Sequence, residues 1–156
     1  MSQQIVIERH LAAPPETVFE LWTTKEGIES WWAPDGFVTE VEELDPRPGG
    51  ELVYTFTATA PEQVQFMEGA GLPLTTRARK TFTEVVPGER LRYDSLVDFA
   101  PGVEPYNHDT LVELFGTDTG VRVVMTLEPL HDEEWTERIV MGRNNELDNL
   151  ERIVSA

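Results

Sequence analysis

Three histidines, four serines and one short basic cluster are the residues from which this sequence could build a reactive site. His10, His108 and His131 show no HxH or HExxH spacing, so no pair is placed to share a zinc ion. With no cysteine in the chain, thiolate nucleophiles, disulfides and Cys-ligated metals are excluded. No metal and no cofactor is expected. None of the serines lies in GxSxG, and Ser95 sits in a strand pattern with no evident neighbouring base, so no catalytic residue is assigned. "EGAG" (68–71) is a lone GxG without the strand-to-helix context of a phosphate loop, and reads as a helix cap and loop. "EPYNHD" (104–109) gathers a carboxylate, a phenol, an amide and an imidazole in a loop. That is a polar rim or an acid–base pair, although loop composition alone supplies such residues. In "RARK" (77–80), Arg77 and Arg79 share one strand face and Lys80 takes the other. Cross-strand pairing with acidic neighbours explains them, and the sharper alternative is an anchor for an anionic group at the sheet rim.

Whatever positions these groups is one domain, residues 1–156, long enough to bury a core. The formal charge of −17, from 29 acidic and 12 basic residues, opposes a phosphate backbone and anionic membrane surfaces. Nucleic acid and membrane insertion are therefore not expected. No basic-then-apolar leader opens the chain and no apolar run approaches ~20 residues, so a cytoplasmic location is expected.

Periodicity divides the chain into elements. "QIVIERHLA" alternates as a strand; "APPETVFELW" opens a helix on its prolines, and Thr24 caps a second short helix that Pro34 and Gly36 end. From Phe37 the period becomes alternating, with strands in "FVTEVEEL", "ELVYTFTAT", "RARKTFTEVV", "RLRYDSLVDF", "TLVELFGTD" and "GVRVVMTLEP" joined by turn-rich segments. Helical period returns from Asp132 to Ser155, with Asp132 as N-cap. Trp135, Ile139 and Gly142 mark one stripe of that helix, and Val140, Leu147, Leu150 and Val154 another. Short connections make the strands antiparallel, and the last helix is the element long enough to cover them.

The stretch "ERHLAAPPETVFELWTTKEGIESWWAPDGF", with "RPGG" (47–50) and "PGERL" (87–91) at hairpin positions, resembles the START-like (SRPBCC) superfamily. Within it, the resemblance is to the family named for the activator of heat-shock-protein-90 ATPase. This implies an α+β helix-grip fold: a curved antiparallel sheet of about seven strands wrapped around a long C-terminal helix, with two short helices after the first strand and a cavity between sheet and helix. The chain departs from the family pattern in "MGRNNELDNL", where Arg143 and Asn144 follow Gly142, and in an expanded hairpin from Ala60 to Arg79.

The resemblance turns otherwise ordinary core candidates into cavity candidates: Trp31, Trp32, Phe56, Phe66, Met67, Phe82, Tyr93, Phe99, His108, Met125, Trp135 and Ile139. Adjacent helical residues point about 100° apart, so Trp31 and Trp32 cannot serve one surface. One is expected to anchor the helix pair and the other to sit towards the cavity mouth; burial of both as plain core is the equal alternative. The function expected is binding of a small, largely apolar molecule. A co-chaperone-like activator of a heat-shock-protein-90 ATPase, and an enzyme like the polyketide cyclases and aromatases, are the alternatives. In Pro61–Thr76, Pro61 and Glu62 suit a helix start and Gly69 or Gly71 its end. Phe66, Met67, Leu72 and Leu74 are too apolar for a solvated loop, so the segment is expected to pad a sheet edge, form a homodimer contact or act as a lid.

Overall fold

The two switches of hydrophobic period, at Phe37 and Asp132, coincide with the boundaries between helical and stranded structure. A computed structural model describes residues 4–32, 36–98 and 102–155. Strand β1 (Ile5–Leu11) leads into helices α1 (Pro15–Thr23) and α2 (Lys25–Trp31). There follow β2 (Phe37–Leu44), β3 (Glu51–Ala58), α3 (Pro61–Gly69), β4 (Thr75–Val86) and β5 (Arg90–Val97). The chain finishes with β6 (Tyr106–Thr117), β7 (Gly120–Leu127) and α4 (Glu133–Ser155).

The strands form one antiparallel, curved, seven-stranded sheet in the order β1-β7-β6-β5-β4-β3-β2. Sequence neighbours from β2 to β7 pair directly and antiparallel, β3 and β4 doing so across the intervening α3. β1 instead pairs with β7, from Ile5 opposite Leu127 to Leu11 opposite Val121. β1 and β2 therefore occupy opposite edges, and α1 and α2 carry the chain from one edge to the other. Strand alternation assigns the faces: in β6, His108, Thr110, Val112 and Leu114 are buried, while the residues between them are not.

Local chemistry fixes the helices. The Thr24 hydroxyl accepts the Gly27 N–H at 3.1 Å and so caps α2. At Gly27 a Cβ would lie 2.7 Å from the Leu21 Cα, so only glycine lets α2 pack backbone-close on α1. The Asp132 carboxylate accepts the Trp135 N–H at 2.8 Å at the start of α4. Leu147 and Leu150 of α4 are fully buried in the core with Trp22, Leu91, Tyr93, Val112 and Met125. Each such aliphatic or aromatic burial contributes about 1.5–3 kcal/mol. Arg9 of β1 ties α4 to the sheet edge, donating to Asp148 at 2.6 Å and to the Asn144 side-chain oxygen at 2.8 Å.

The Pro61–Thr76 segment holds a true helix with proline at its first turn, α3, and β4 begins at Thr75, two residues before the expected Arg77. Its apolar residues are not all covered. Met67 is buried, α3 packing against β3, but Phe66 is 65% exposed and Leu72 is exposed too. Residues 66 and 67 diverge by about 100° around the helix, so a helix resting on β3 by one side buries one of them and releases the other.

Candidate functional site

Between the sheet and α4 lies a cavity of about 290 Å³. β3 supplies Tyr54 and Phe56, β4 supplies Ala78 and Lys80, and β5 supplies Ser95 and Val97. β6 adds His108, the end of α2 adds Trp32, and Leu130 closes one side. From α4 come Trp135, Ile139, Gly142, Arg143 and Glu146, one helical face at spacings of three and four. The stripe of Trp135, Ile139 and Gly142 thus faces the cavity, whereas Leu147 and Leu150 face the core.

Three of the polar lining residues stand in one cross-strand row. Lys80 pairs with Ser95, and Ser95 with His108. Side chains so paired on one face have Cβ atoms about 5 Å apart. The Lys80 amino group is buried, donates to the Ser95 hydroxyl at 2.7 Å, and lies 5.2 Å from the Tyr93 ring, 5.5 Å from Trp32 and 5.9 Å from Tyr54. Burial drives its pKa well below the ordinary lysine value; Arg143 adds to this and Glu146 opposes it. His108 donates from Nε2 to the Glu128 carbonyl, which leaves a lone pair on Nδ1 with no protein partner. Burial lowers its pKa, so the imidazole is neutral at pH 7.

On the helix side, Arg143 is buried and meets the Glu146 carboxylate at 3.4 Å, while its Nε has no protein partner. Burial pushes the Tyr54 and Tyr93 hydroxyls up, so both stay protonated. The Trp32 indole N–H is buried without a hydrogen-bond partner, its ring 6.0 Å from that of Tyr54. The cavity therefore combines apolar walls with a compact polar floor.

Of the cavity candidates, the structure brings Trp32, Phe56, His108, Trp135 and Ile139 together on this lining. Trp31 turns the other way: its indole N–H donates to the Leu21 carbonyl at 2.9 Å, and its ring packs edge-on against Trp22 at 4.8 Å. Phe82, Tyr93 and Met125 are core residues off the lining, with the Tyr93 ring behind Lys80. Phe66 and Met67 are also off it, as is every residue of 61–76, because α3 packs on β3 outside this lining. Phe99 lies outside the described residues.

Two local expectations are corrected. "EPYNHD" is not one polar loop, since Tyr106–Asp109 begin β6 and alternation sends their side chains apart. The Tyr106 hydroxyl meets His131 Nδ1 at 2.7 Å, His108 points inward, and Asp109 holds Arg92 at 2.7 Å. Ser95 does have a neighbour able to act as a base, Lys80, which adjoins it only through strand pairing. Arg77 and Arg79 pair with Glu42 and Glu51 at 2.9 and 3.4 Å. Lys80, Arg143 and Glu146 join the lining although none is among the cavity candidates; Lys80 is in the basic cluster and Arg143 in the departure after Gly142. The visible signal for Lys80 was its parity with Phe82 on β4, which marks an inward position.

The helix-grip arrangement recurs in solved structures. A protein from Chromobacterium violaceum superposes with a TM-score of 0.79 at 28% identity, over 98% of this chain and 97% of that one. A protein from Nitrosomonas europaea gives 0.73 at 22% identity, over 97% and 94%. The AHSA1 protein from Silicibacter pomeroyi gives 0.74 at 17% identity, over 98% of both chains. No curated protein matches the sequence. The model of the family described as "Activator of Hsp90 ATPase homolog 1-like protein" matches residues 12–155, from the end of β1 through α4, and the chain belongs to that family.

Proposed function

We propose that the protein binds a small, largely apolar molecule in the cavity between its sheet and α4. The observation that carries this reading is an interior space of about 290 Å³ walled by Trp32, Phe56, Val97, Leu130 and Ile139. The space is larger than the gaps that ordinary core packing leaves and opens to solvent past Arg79 and Arg138, which gives a guest both room and a way in. Its volume lies at the small end of ligand pockets, which favours a molecule of one or two rings. Trp32 gives a built-in reporter, since a ligand against its indole alters its fluorescence.

The test is titration with an environment-sensitive apolar dye such as Nile red, followed by competition with small aromatic hydrocarbons. Saturable dye binding, displaced by the hydrocarbon and weakened by Ile139→Trp, is the expected result. Stimulation of an Hsp90 ATPase without dye binding would instead favour the activator role that the family description names. Turnover of a polyketide-like substrate, lost in His108→Ala, would favour an enzyme.

A further inference from the structure

The chain has twelve basic residues, and only Lys25 and Lys80 are lysines. Lys25 is exposed and pairs with Glu29 at 2.6 Å, as nine of the ten arginines pair with Asp or Glu. Lys80 has no carboxylate within ion-pair distance among the described residues. Unlike Arg152, the other cation without an acidic partner, Lys80 is buried. An ammonium at Lys80 would carry three N–H donors, and the site gives it one oxygen acceptor, Ser95 Oγ at 2.7 Å. Its other close neighbours are the faces of Trp32, Tyr54 and Tyr93, which attract a cation but only weakly. Arg143 in the same cavity repels it. The neutral amine leaves the fewest demands unmet. Lysine, unlike arginine, can take that form.

A neutral amine beside apolar walls is a nucleophile. Beside it stands a hydroxyl, Ser95, and beyond that a neutral imidazole whose free Nδ1 can take up a proton. We propose that Lys80 captures small apolar aldehydes or ketones in this cavity as an imine, which makes the protein a reversible covalent carrier or converter of carbonyl compounds. The proposal rests on the apolar-ligand reading and names its chemical class. The Nζ lone pair attacks the carbonyl carbon, forming the C–N bond while the π electrons move to oxygen. The nitrogen then gives up two protons and the oxygen gains two, through Ser95 and His108. The C–O bond breaks, water leaves and the C=N bond remains. Hydrolysis runs the same steps backwards, so no oxidant or reductant is consumed.

The experiment incubates the full chain at pH 7 with 2-naphthaldehyde, and in parallel with the smaller benzaldehyde, in the presence of sodium cyanoborohydride to reduce any imine to a stable amine. Intact mass and peptide mapping then locate the adduct. An exposed lysine has about one amine in 2,500 unprotonated at pH 7. Labelling at Lys80 is therefore expected to exceed that at Lys25 by at least tenfold, with one adduct at Lys80 that peptide mapping separates from any at the α-amino group. It should be blocked by 2-methylnaphthalene, absent in Lys80→Arg and unchanged in Lys25→Arg. Binding of 2-methylnaphthalene, read by tryptophan fluorescence, is measured separately. If it binds but neither aldehyde labels Lys80 above Lys25, imine capture is refuted while the apolar reading stands. If labelling of Lys80 is indifferent to saturating 2-methylnaphthalene, the cavity is not its site and the proposal fails. If 2-methylnaphthalene does not bind and Lys80 is unlabelled, both readings fall. Because the site is read on the native protein, misfolding of a variant cannot obscure the answer.

Discussion

If Lys80 is neutral in the folded protein, its proton must appear in the pH dependence of stability, with a sign opposite to that of an ion-paired lysine. An unfolded lysine titrates near 10.4. Burial first, and Arg143 second, depress the folded value well below that. Between the two values the unfolded chain binds one more proton than the native one, so stability rises with pH across the window. The slope reaches about 1.4 kcal/mol per pH unit for one group, or about 2.7 kcal/mol between pH 7 and pH 9. That interval avoids the other buried groups. The His108 pKa is depressed from a value already below 7, and the Tyr54 and Tyr93 values are raised above 10. Urea unfolding of the wild type and of Lys80→Met at pH 7, 8 and 9 isolates the effect, because titrations common to both cancel in the difference. Methionine fills a similar volume without a proton to lose. With urea m-values of about 1–3 kcal/mol per molar, the wild-type midpoint should gain about 1–3 M on the variant over the interval. A difference that stays constant from pH 7 to 9 would show that Lys80 keeps its charge in the native state, held by the ring faces, and would refute the reasoning.

The two adjacent tryptophans should separate by role: Trp31→Phe removes the bond to the Leu21 carbonyl and costs about 1–3 kcal/mol in urea unfolding, with dye affinity unchanged. Trp32→Ala should cost about 3–5 kcal/mol and also weaken dye binding, because its ring is both core and cavity wall. Removing the α2 cap with Thr24→Ala should lower stability by about 1 kcal/mol, measured by the same unfolding curves. Gly120→Ala should be worse than the usual loop substitution, by more than about 1 kcal/mol: at φ 154° its Cβ would lie 2.0 Å from the Leu11 carbonyl oxygen, and the β6–β7 turn would have to move.

Much of this fold was legible because the core is patterned by simple periods. The alternation of β6, the proline start of α1, the caps at Thr24 and Asp132 and the two stripes of α4 are each local signals, and each element stands where its signal lies except that β6 starts four residues early, at Tyr106. The site was less legible because it is assembled across strands. Lys80 and Ser95 are fifteen residues apart and meet only through the β4–β5 register, which depends on a bulge between Phe82 and Glu84. A bulge shifts pairing by a residue without an unambiguous mark in the sequence. Arg143 and Glu146 were hidden for another reason. A charged residue on a helix normally marks the solvent face, and here two of them face a cavity that periodicity cannot reveal.

The pairing of β1 with β7 also sets a timetable for the chain as it is made. Ile5 meets Leu127, a partner 122 residues later. At ribosomal rates of about 5–20 residues per second, β1 waits roughly 6–24 s before its partner strand exists. During that wait the alternating face of Ile5, Ile7 and Leu11 has no sheet to cover it. β2 to β6 can zip hairpin by hairpin in the meantime, since each finds its neighbour close in sequence. The last strand is then the one that recruits the first, and α4, emerging afterwards, needs Arg9 already in place to dock. The cavity comes into being only once α4 has been made. A ligand present at that moment would meet an open sheet before it met a closed site.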